Sequence, residues 1–420
     1  MRVLWISPLV PAALRRPDTR GEHMAGGSWI PALEQALRGY PGIDLHVAAL
    51  APVDHSVVDR GVTYHGVRSK GRSAAQRLRR NWGMGEQSVE ETHGMLELVA
   101  DTQPDVIHIH GTEQAFASLL TMTSVPSLVS MQGILTVCER MSTRELEVWP
   151  GAWLGDVPGL LKGHTPLTQR RAMRISALRE RRVLAEAAFL GGRTEWDRLV
   201  ASILAPQATY FHCGEVLRPE FYEASWAGPR GSQPVVYSTI GAAPYKGAET
   251  LIEAAALAAR RGHLIQLRLG GIGDDSVSGR AAQRIARRLG ISGRVSLLGY
   301  LTAAEIVDEL RHCSAYVSPS HIDNSPNALC EALVMGVPCV ATAVGGVPSL
   351  LSPDEGWLVQ DGDPWHMAAA LSEILERPET ASGRGARAQT KARERHDPVS
   401  VCAGVVRAYE TIARQTGRRQ

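Results

Sequence analysis

Residues 315–342 read AYVSPSHIDNSPNALCEALVMGVPCVAT. Ala315 to Ser318 is a short apolar run closed by Pro319, which has the length and punctuation of a buried strand. A polar loop follows and delivers Asp323. Pro326 fits the entry of a helix, because the first helical positions have no intrahelical use for an N–H. Ala328 to Met335 reads as that helix and Val337 to Thr342 as the next strand. Strands alternating with helices of this length indicate a parallel sheet with helices on both faces.

The same rhythm extends outward. Upstream, Val235 to Ser238, Leu264 to Leu269 and Val295 to Leu298 read as strands, with helices over 247–261 and 303–312. The passage 212–234, HCGEVLRPEFYEASWAGPRGSQP, is rich in proline and glycine and marks a domain boundary. Before it, strands are expected at Val3 to Ser7, Ile43 to Leu50, Val62 to Val67, Asp105 to Ile109 and Val125 to Met131, and helices over 28–37, 88–101 and 169–188. After an arginine- and glycine-rich stretch at 383–395, helix returns over 399–415. A chain of 420 residues is too long for one core and fits two α/β domains. The expected organisation is a Rossmann-like domain over 1–212, a second over 213–398, and a terminal helix over 399–420 that crosses back to the first.

Composition excludes several classes. The 45 basic residues are offset by 43 acidic ones, a balance that argues against a nucleic-acid partner. Six cysteines without a CxxC pair read as buried thiols in a reducing cytoplasm, not as a disulfide framework or a metal centre. The opening MRVLWISPLV is apolar for only a few residues before its prolines, so it reads as a strand, neither signal peptide nor membrane span.

In doubly wound sheets, ligands bind beyond the carboxyl ends of the strands. Several polar residues stand out there. Gly26 and Gly27 precede the first helix and leave room for a close ligand near unpaired amides. His110 follows the strand at 105–109 and opens a glycine-containing loop. His108 shares its side of the strand in period two, and a satisfied core histidine is the competing reading for the pair. Gln132 and Gly133 close the next strand. Lys246, ahead of a helix, offers a mobile point charge suited to a diphosphate, against the alternative of a solvated surface lysine. Glu331 lies inside an otherwise apolar helix, where an acid is costly without a partner. Ribose hydroxyls would serve. A capping role for Asp323 and an ion pair for Glu331 are the plainer alternatives.

The segment 323–348, DNSPNALCEALVMGVPCVATAVGGVP, resembles the signature of the family 4 retaining glycosyltransferases, the polysaccharide-biosynthesis type of glycosyl transferases group 1. That family carries two acids separated by seven residues, here Asp323 and Glu331. The likeness continues through Gly26-Gly27, DVIHIHG at 105–111, GGRTEWDR at 191–198, Lys246-Gly247, LGGIGDD at 269–275, LLGY at 297–300 and SPS at 318–320. It implies an α/β protein of the GT-B fold, two Rossmann-like domains facing across a cleft. Most of the acceptor would belong to the N-terminal domain and the nucleotide sugar to the C-terminal one. The resemblance assigns Glu331 to the donor ribose and Asp323 to the donor-sugar hydroxyls. Lys246 would neutralise the diphosphate, with backbone amides near Asn327 and Ala328 and with Gly26 and Gly27. His110 would contact the donor sugar near the reacting centre.

The implied reaction is retaining transfer of a hexosyl-type group from a UDP- or GDP-sugar to a glycan, a lipid-linked glycan or a small-molecule hydroxyl, with no cofactor and no divalent metal. Rival readings are a nucleotide-sugar hydrolase or epimerase of the same architecture, or a catalytically degenerate sugar-binding module. The chain departs from the family in four places. Asp323 replaces the usual glutamate, no arginine stands near Ile240 or Gly241, Gln132 replaces a common histidine, and Ser349 replaces a common acid. Two basic groups would suit an anionic membrane and a cytoplasmic protein at its inner face, with a solvated surface as the alternative. One is Arg170, Arg171, Arg174, Arg179, Arg181 and Arg182; the other is Lys70, Arg72, Arg77, Arg79 and Arg80.

Overall fold

A computed structural model describes residues 1–15, 29–52, 54–68, 78, 81–82, 89–154 and 157–417. The chain forms two compact units. The first comprises Met1–Thr136, Ala172–Val216 and His396–Gln420, and the second Val137–Arg171 and Leu217–Arg395. The sequence boundaries differ from this most over Val137–Arg171, which had been assigned to the first domain. Its packing explains the difference: Ala152 and Trp153 lie in the core of the second unit, Trp149 donates its indole N–H to Glu253, and Arg284 donates to the Ala152 carbonyl at 2.7 Å.

The first unit is built on an eight-stranded sheet. Its strands are β1 (Arg2–Ser7), β2 (Asp44–Ala51), β3 (His55–Asp59), β4 (Val62–Arg68), β5 (Val106–His110), β6 (Ser127–Ser130), β7 (Phe189–Gly192) and β8 (Thr209–His212). Their order is β3-β4-β2-β1-β5-β6-β7-β8. All neighbours are parallel except β3 and β4, so the all-parallel expectation fails at one edge. Val3, Trp5, Leu45 and Val47 point to a core shared with the helices Trp29–Leu37 and Pro398–Gly417. The last helix is pinned by Tyr409, whose hydroxyl accepts from the Trp5 indole at 2.9 Å and lies 2.6 Å from His108 Nδ1.

The second unit is built on a six-stranded sheet of β9 (Val235–Thr239), β10 (Gln266–Gly270), β11 (Val295–Gly299), β12 (Ala315–Ser318), β13 (Cys339–Thr342) and β14 (Trp357–Val359), in the order β11-β10-β9-β12-β13-β14. Every neighbour is parallel. Successive residues alternate between two cores: Val236, Val317 and Val340 on one face, Tyr237, Tyr316 and Cys339 on the other. Burial on both faces is why β12 and β13 are almost wholly apolar, whereas β10 (QLRLG) and the edge strand β11 (VSLLG) keep polar residues at exposed or partly exposed positions. From β9 the chain winds outward one way through β10 and β11, then returns beside β9 as β12 and winds the other way. The loops after β9 and β12 therefore part at a topological switch point, where such sheets leave room for a ligand.

The arginine- and glycine-rich stretch at 383–395 is helical, as part of Pro378–Arg395. Its buried stripe is Ala381, Gly385, Ala388 and Ala392, small residues that hide an amphipathic pattern from a hydrophobicity reading. A Cβ on Gly385 would come within 2.4 Å of the Gly336 carbonyl oxygen, so close packing selects glycine there. Among the described residues, no helix is long and apolar enough to cross a membrane.

Candidate active site

The second unit gathers its candidate residues at the switch point. Lys246 follows β9 and Asp323 follows β12. Their side chains meet, with Lys246 Nζ 2.6 Å from Asp323 Oδ2. Burial works against the lysine charge, but the Asp323 carboxylate, Tyr245 and the hydrogen bond outweigh it, and Lys246 titrates above its ordinary range. Backbone geometry fixes the pair. Gly247 has φ 72°, and a Cβ on it would lie 2.0 Å from the Pro319 carbonyl oxygen. Gly345, at φ 50°, packs as tightly on the Asp323 carbonyl, which also accepts from the Gly346 N–H at 3.0 Å. Only glycine meets both demands, a left-handed backbone and no side chain.

Glu331 lies in the helix Asn327–Met335, buried as expected. Its partner was not foreseen. Arg218 grips it bidentately, Nε to Oε1 at 2.8 Å and Nη2 to Oε2 at 2.9 Å, while its guanidinium lies over the Phe221 ring. The ion-paired alternative for Glu331 is therefore what the structure contains, and its burial alone does not require a ligand. Arg218 is thereby a basic group at Glu331 that the sequence did not single out. Sequence spacing could not find it, because it lies in the passage read only as a boundary. Asn327 and Ala328 open the helix, and Pro326 at the N-cap provides no side-chain cap for its first amides.

In the first unit, His110 is the last residue of β5 and is wholly buried. The expectation that it opens a loop is corrected: backbone pairing with Ser130 on β6 carries the strand one residue further. Its ring lies 4.4 Å from the Trp5 ring and 5.4 Å from the Trp29 ring, centre to centre. Neither ring nitrogen has a hydrogen-bond partner among the described residues. Burial and the neighbouring His108 hold its pKa well below the ordinary value, so the ring is neutral. His108 is the satisfied core histidine, bonded to Tyr409 and to Ser130 Oγ at 2.6 Å each, and burial lowers its pKa to about 3.

Gln132 turns its amide back onto the His110 carbonyl at 3.0 Å. Glu113, which the sequence did not single out, accepts from the Gly133 N–H at 3.3 Å, and burial raises its pKa. Arg193, from GGRTEWDR, pairs with Glu215 at 2.5 Å and donates to the Gln132 carbonyl at 2.8 Å. On the same unit a cavity of about 310 Å³ is lined by Trp5, Ser7, Arg15, Glu34, Arg38 and Tyr64 among others. Gly26 and Gly27, and the basic group Lys70, Arg72, Arg77, Arg79 and Arg80, lie outside the described residues.

Residues 234–377 match the family model of the glycosyl transferases group 1. The D-inositol 3-phosphate glycosyltransferase of Streptomyces griseus is 32% identical over 156 residues, 36% of this chain and 33% of that protein. The enzyme of the same name from Corynebacterium efficiens is 31% identical over 154 residues, 36% of each. The chain thus spans about a third of the length of these curated relatives. Among solved structures, the sucrose-phosphate synthase of Thermosynechococcus elongatus superposes with a TM-score of 0.74 at 16% identity, over 98% of both chains. Anabaena HepE in complex with UDP and glucose gives 0.65 at 14% identity, over 97% of this chain and 99% of that one. Over residues 234–377 the chain is thus similar to the group 1 glycosyl transferases, and along its length it shares an α/β fold with these solved structures.

Proposed function

We propose that the chain transfers a hexosyl-type group from a UDP- or GDP-sugar to a hydroxyl-bearing acceptor, with retention at the anomeric carbon. The Lys246–Asp323 pair carries this reading: a cation and an anion at the switch point of a parallel sheet, inside the residues that match the family. We assign the donor to the second unit. Lys246 and the first amides at Asn327 and Ala328 would stabilise charge growing on the departing diphosphate. Asp323 would hold donor-sugar hydroxyls and Glu331 the ribose. In the step, the bond from the anomeric carbon to the phosphate oxygen breaks as the acceptor oxygen bonds on the same face. The acceptor's proton passes to the departing phosphate, and the nucleoside diphosphate leaves.

The relatives named for D-inositol 3-phosphate support a polyol phosphate as first acceptor to try, and the HepE complex with UDP-glucose supports a uridine donor. The test is incubation with labelled UDP- and GDP-sugars, with and without inositol phosphate, in buffer with and without EDTA. Transfer with a retained anomer, insensitive to EDTA, is expected. Free sugar as the only product would favour the hydrolase, and binding without turnover the sugar-binding module.

His110 supports a polar ligand on the first unit. A buried polar atom left without a partner costs about 1–3 kcal/mol and is rarely tolerated without a use. H110L removes both orphan nitrogens at similar volume. It is expected to melt no lower than the unchanged protein, yet to lose roughly tenfold in kcat/KM, the worth of one hydrogen bond of about 1.5 kcal/mol. A variant that melts lower but transfers at the full rate would make His110 a packing residue only.

The helix Pro166–Ala185 exposes Leu167, Arg170, Arg171, Arg174, Leu178, Arg181 and Arg182 at helical spacing, while its Glu180 is buried. Arg179, counted with the basic group, is instead turned inward onto the Glu113 carbonyl. A one-signed stripe with two leucines favours peripheral contact with anionic lipid, at about 1 kcal/mol per basic residue. Co-sedimentation with phosphatidylglycerol vesicles at low salt, lost at high salt and in R171E/R174E/R182E, is the expected result.

A further inference from the structure

We propose that Glu145, Glu249, His321 and Asp361 form a buried carboxyl–imidazole clamp that fixes the two loops carrying Lys246 and Asp323, making His321 and Glu249 positioning residues of the donor site. The proposal rests on that site's being a nucleoside-diphosphate subsite. All four residues belong to the second unit.

His321 is two residues before Asp323 and is almost wholly buried. Its backbone N–H donates to the carbonyl of Tyr245, the residue before Lys246, at 2.8 Å. Its Nε2 lies 2.6 Å from Glu249 Oε1, in the first turn of the helix that follows Lys246. Its Nδ1 lies 2.6 Å from Asp361 Oδ1, just past β14. A ring that faces a carboxylate with each nitrogen must carry both protons to donate to both. It is an imidazolium. Burial lowers its pKa, but the bonds to Asp361 and Glu249 prevail and raise it from 6.5 to about 9.

The chain of contacts continues to the segment Val137–Arg171. Glu249 faces Glu145, on the helix Arg144–Val148, and two buried carboxyls in contact need a proton between them. Burial, then the Glu249 charge, raises Glu145 well above the ordinary carboxyl range, so it keeps that proton and donates to Glu249. At the far end Arg144 Nη2 lies 3.6 Å from Asp361 Oδ2. One short helix thus touches both ends of the chain, and the groups alternate: neutral acid, anion, cation, anion, cation. Glu253, which accepts from Trp149, is the other acid on the neighbouring helix face, and Asp323, paired with Lys246 of the loop after β9, lies on the same loop as His321.

A buried ionic chain is a poor source of stability compared with apolar packing. What it supplies is direction. Hydrogen bonds of 2.6 Å hold atoms to a geometry that van der Waals contact leaves loose, and a diphosphate site needs its cation placed to well under an ångström. His321 contacts no reacting atom in this account. It acts through the loops of Lys246 and Asp323.

The test titrates UDP by calorimetry into the full chain from pH 6 to 10, using the unchanged protein, H321Q, E249Q and K246A. H321Q is expected to weaken UDP at least tenfold at pH 7. E249Q keeps the size of the side chain and removes one of the two anions facing the ring. The alkaline weakening of UDP binding, near pH 9 in the unchanged protein, should move down toward 6.5 in E249Q. His321 has a folded pKa above its unfolded value, so its stabilising contribution is complete below about 6.5 and is lost as pH rises through 9. The gap in Tm between unchanged protein and H321Q should close over that range. If K246A loses UDP while H321Q and E249Q bind it with the unchanged affinity and pH profile, the clamp is overturned and the donor site stands. If K246A itself binds UDP normally, the donor assignment falls and the clamp's role falls with it. E249Q alone decides the matter should H321Q not fold.

Discussion

Lys246→Ala is expected to lower kcat/KM toward a nucleoside-diphosphate sugar by about 10²–10³-fold, the usual cost of deleting one group aimed at developing negative charge. In the proposed reaction the leaving diphosphate gains charge as the anomeric bond breaks, and Lys246, in the loop after β9, would meet it. Because it titrates above its ordinary range, it stays charged across any practical assay, and its loss should leave no new limb in the pH profile. The fold should tolerate the change. Lys246 and Asp323 retain 26% and 15% side-chain exposure, so the stranded aspartate can recover water. Asp323→Asn sharpens the test. It frees Lys246 from its internal counter-ion, so UDP should bind at least as tightly, while transfer slows because the sugar hydroxyls lose a charged acceptor with two oxygens. Equal kcat/KM in K246A and the unchanged protein would remove the diphosphate from this site.

The sequence made the second unit legible because its sheet is buried on both faces. Strands β9, β12 and β13 are mostly apolar runs of four or five residues, and every strand from β9 to β13 has a glycine or proline near one end, so period and punctuation agree. Legibility failed where burial was partial or residues were small. Strand β3 is mostly exposed and lacks an apolar side, and β8 is four residues with both ends open to solvent. The helix Pro378–Arg395 buries alanines and a glycine, which no hydrophobic pattern distinguishes from a loop. The short helices within Val137–Arg171 follow one another too closely for any period to develop, and their allegiance to the second unit depends on Trp149 and Trp153, whose partners are remote in sequence.

The candidate site divides along the same line. Lys246 and Asp323 were legible as charged residues in loops beyond strands, and Glu331 as an acid inside an otherwise apolar helix. Their partners were not. Arg218 and Glu331 are separated by 113 positions, and His321 reaches Glu249 and Asp361 across 72 and 40. A single chain carries no signal of such pairings, since each residue alone is an ordinary polar residue in a loop or on a helix. His110 shows the opposite error. Its glycine neighbour suggested a loop, whereas register with β6 extends the strand and buries the ring.

Arg218→Ala should be the most destabilising single change at the site. It leaves Glu331, 3% exposed at the side chain, as a buried carboxylate without its fork. Removing one partner of a buried pair costs about 3–5 kcal/mol, which for a domain of this size lowers Tm by roughly 6–20 °C. Lysine should not rescue it, because one ammonium cannot span both carboxylate oxygens as Nε and Nη2 do. Glu331→Gln should cost less, since a neutral amide is cheaper to bury and the guanidinium, 23% exposed, can turn to water. Calorimetric melting of R218A, E331Q and the double variant then separates structure from function. If the pair only braces the fold, the double variant should melt above R218A and donor KM should follow Tm through the series. If Glu331 also accepts from the donor ribose, E331Q should raise donor KM by about tenfold, the worth of one charge-assisted hydrogen bond, while melting close to the unchanged protein. The second pattern is expected on the proposed role of Glu331, since a neutral amide is a weaker acceptor toward a ribose hydroxyl than a carboxylate.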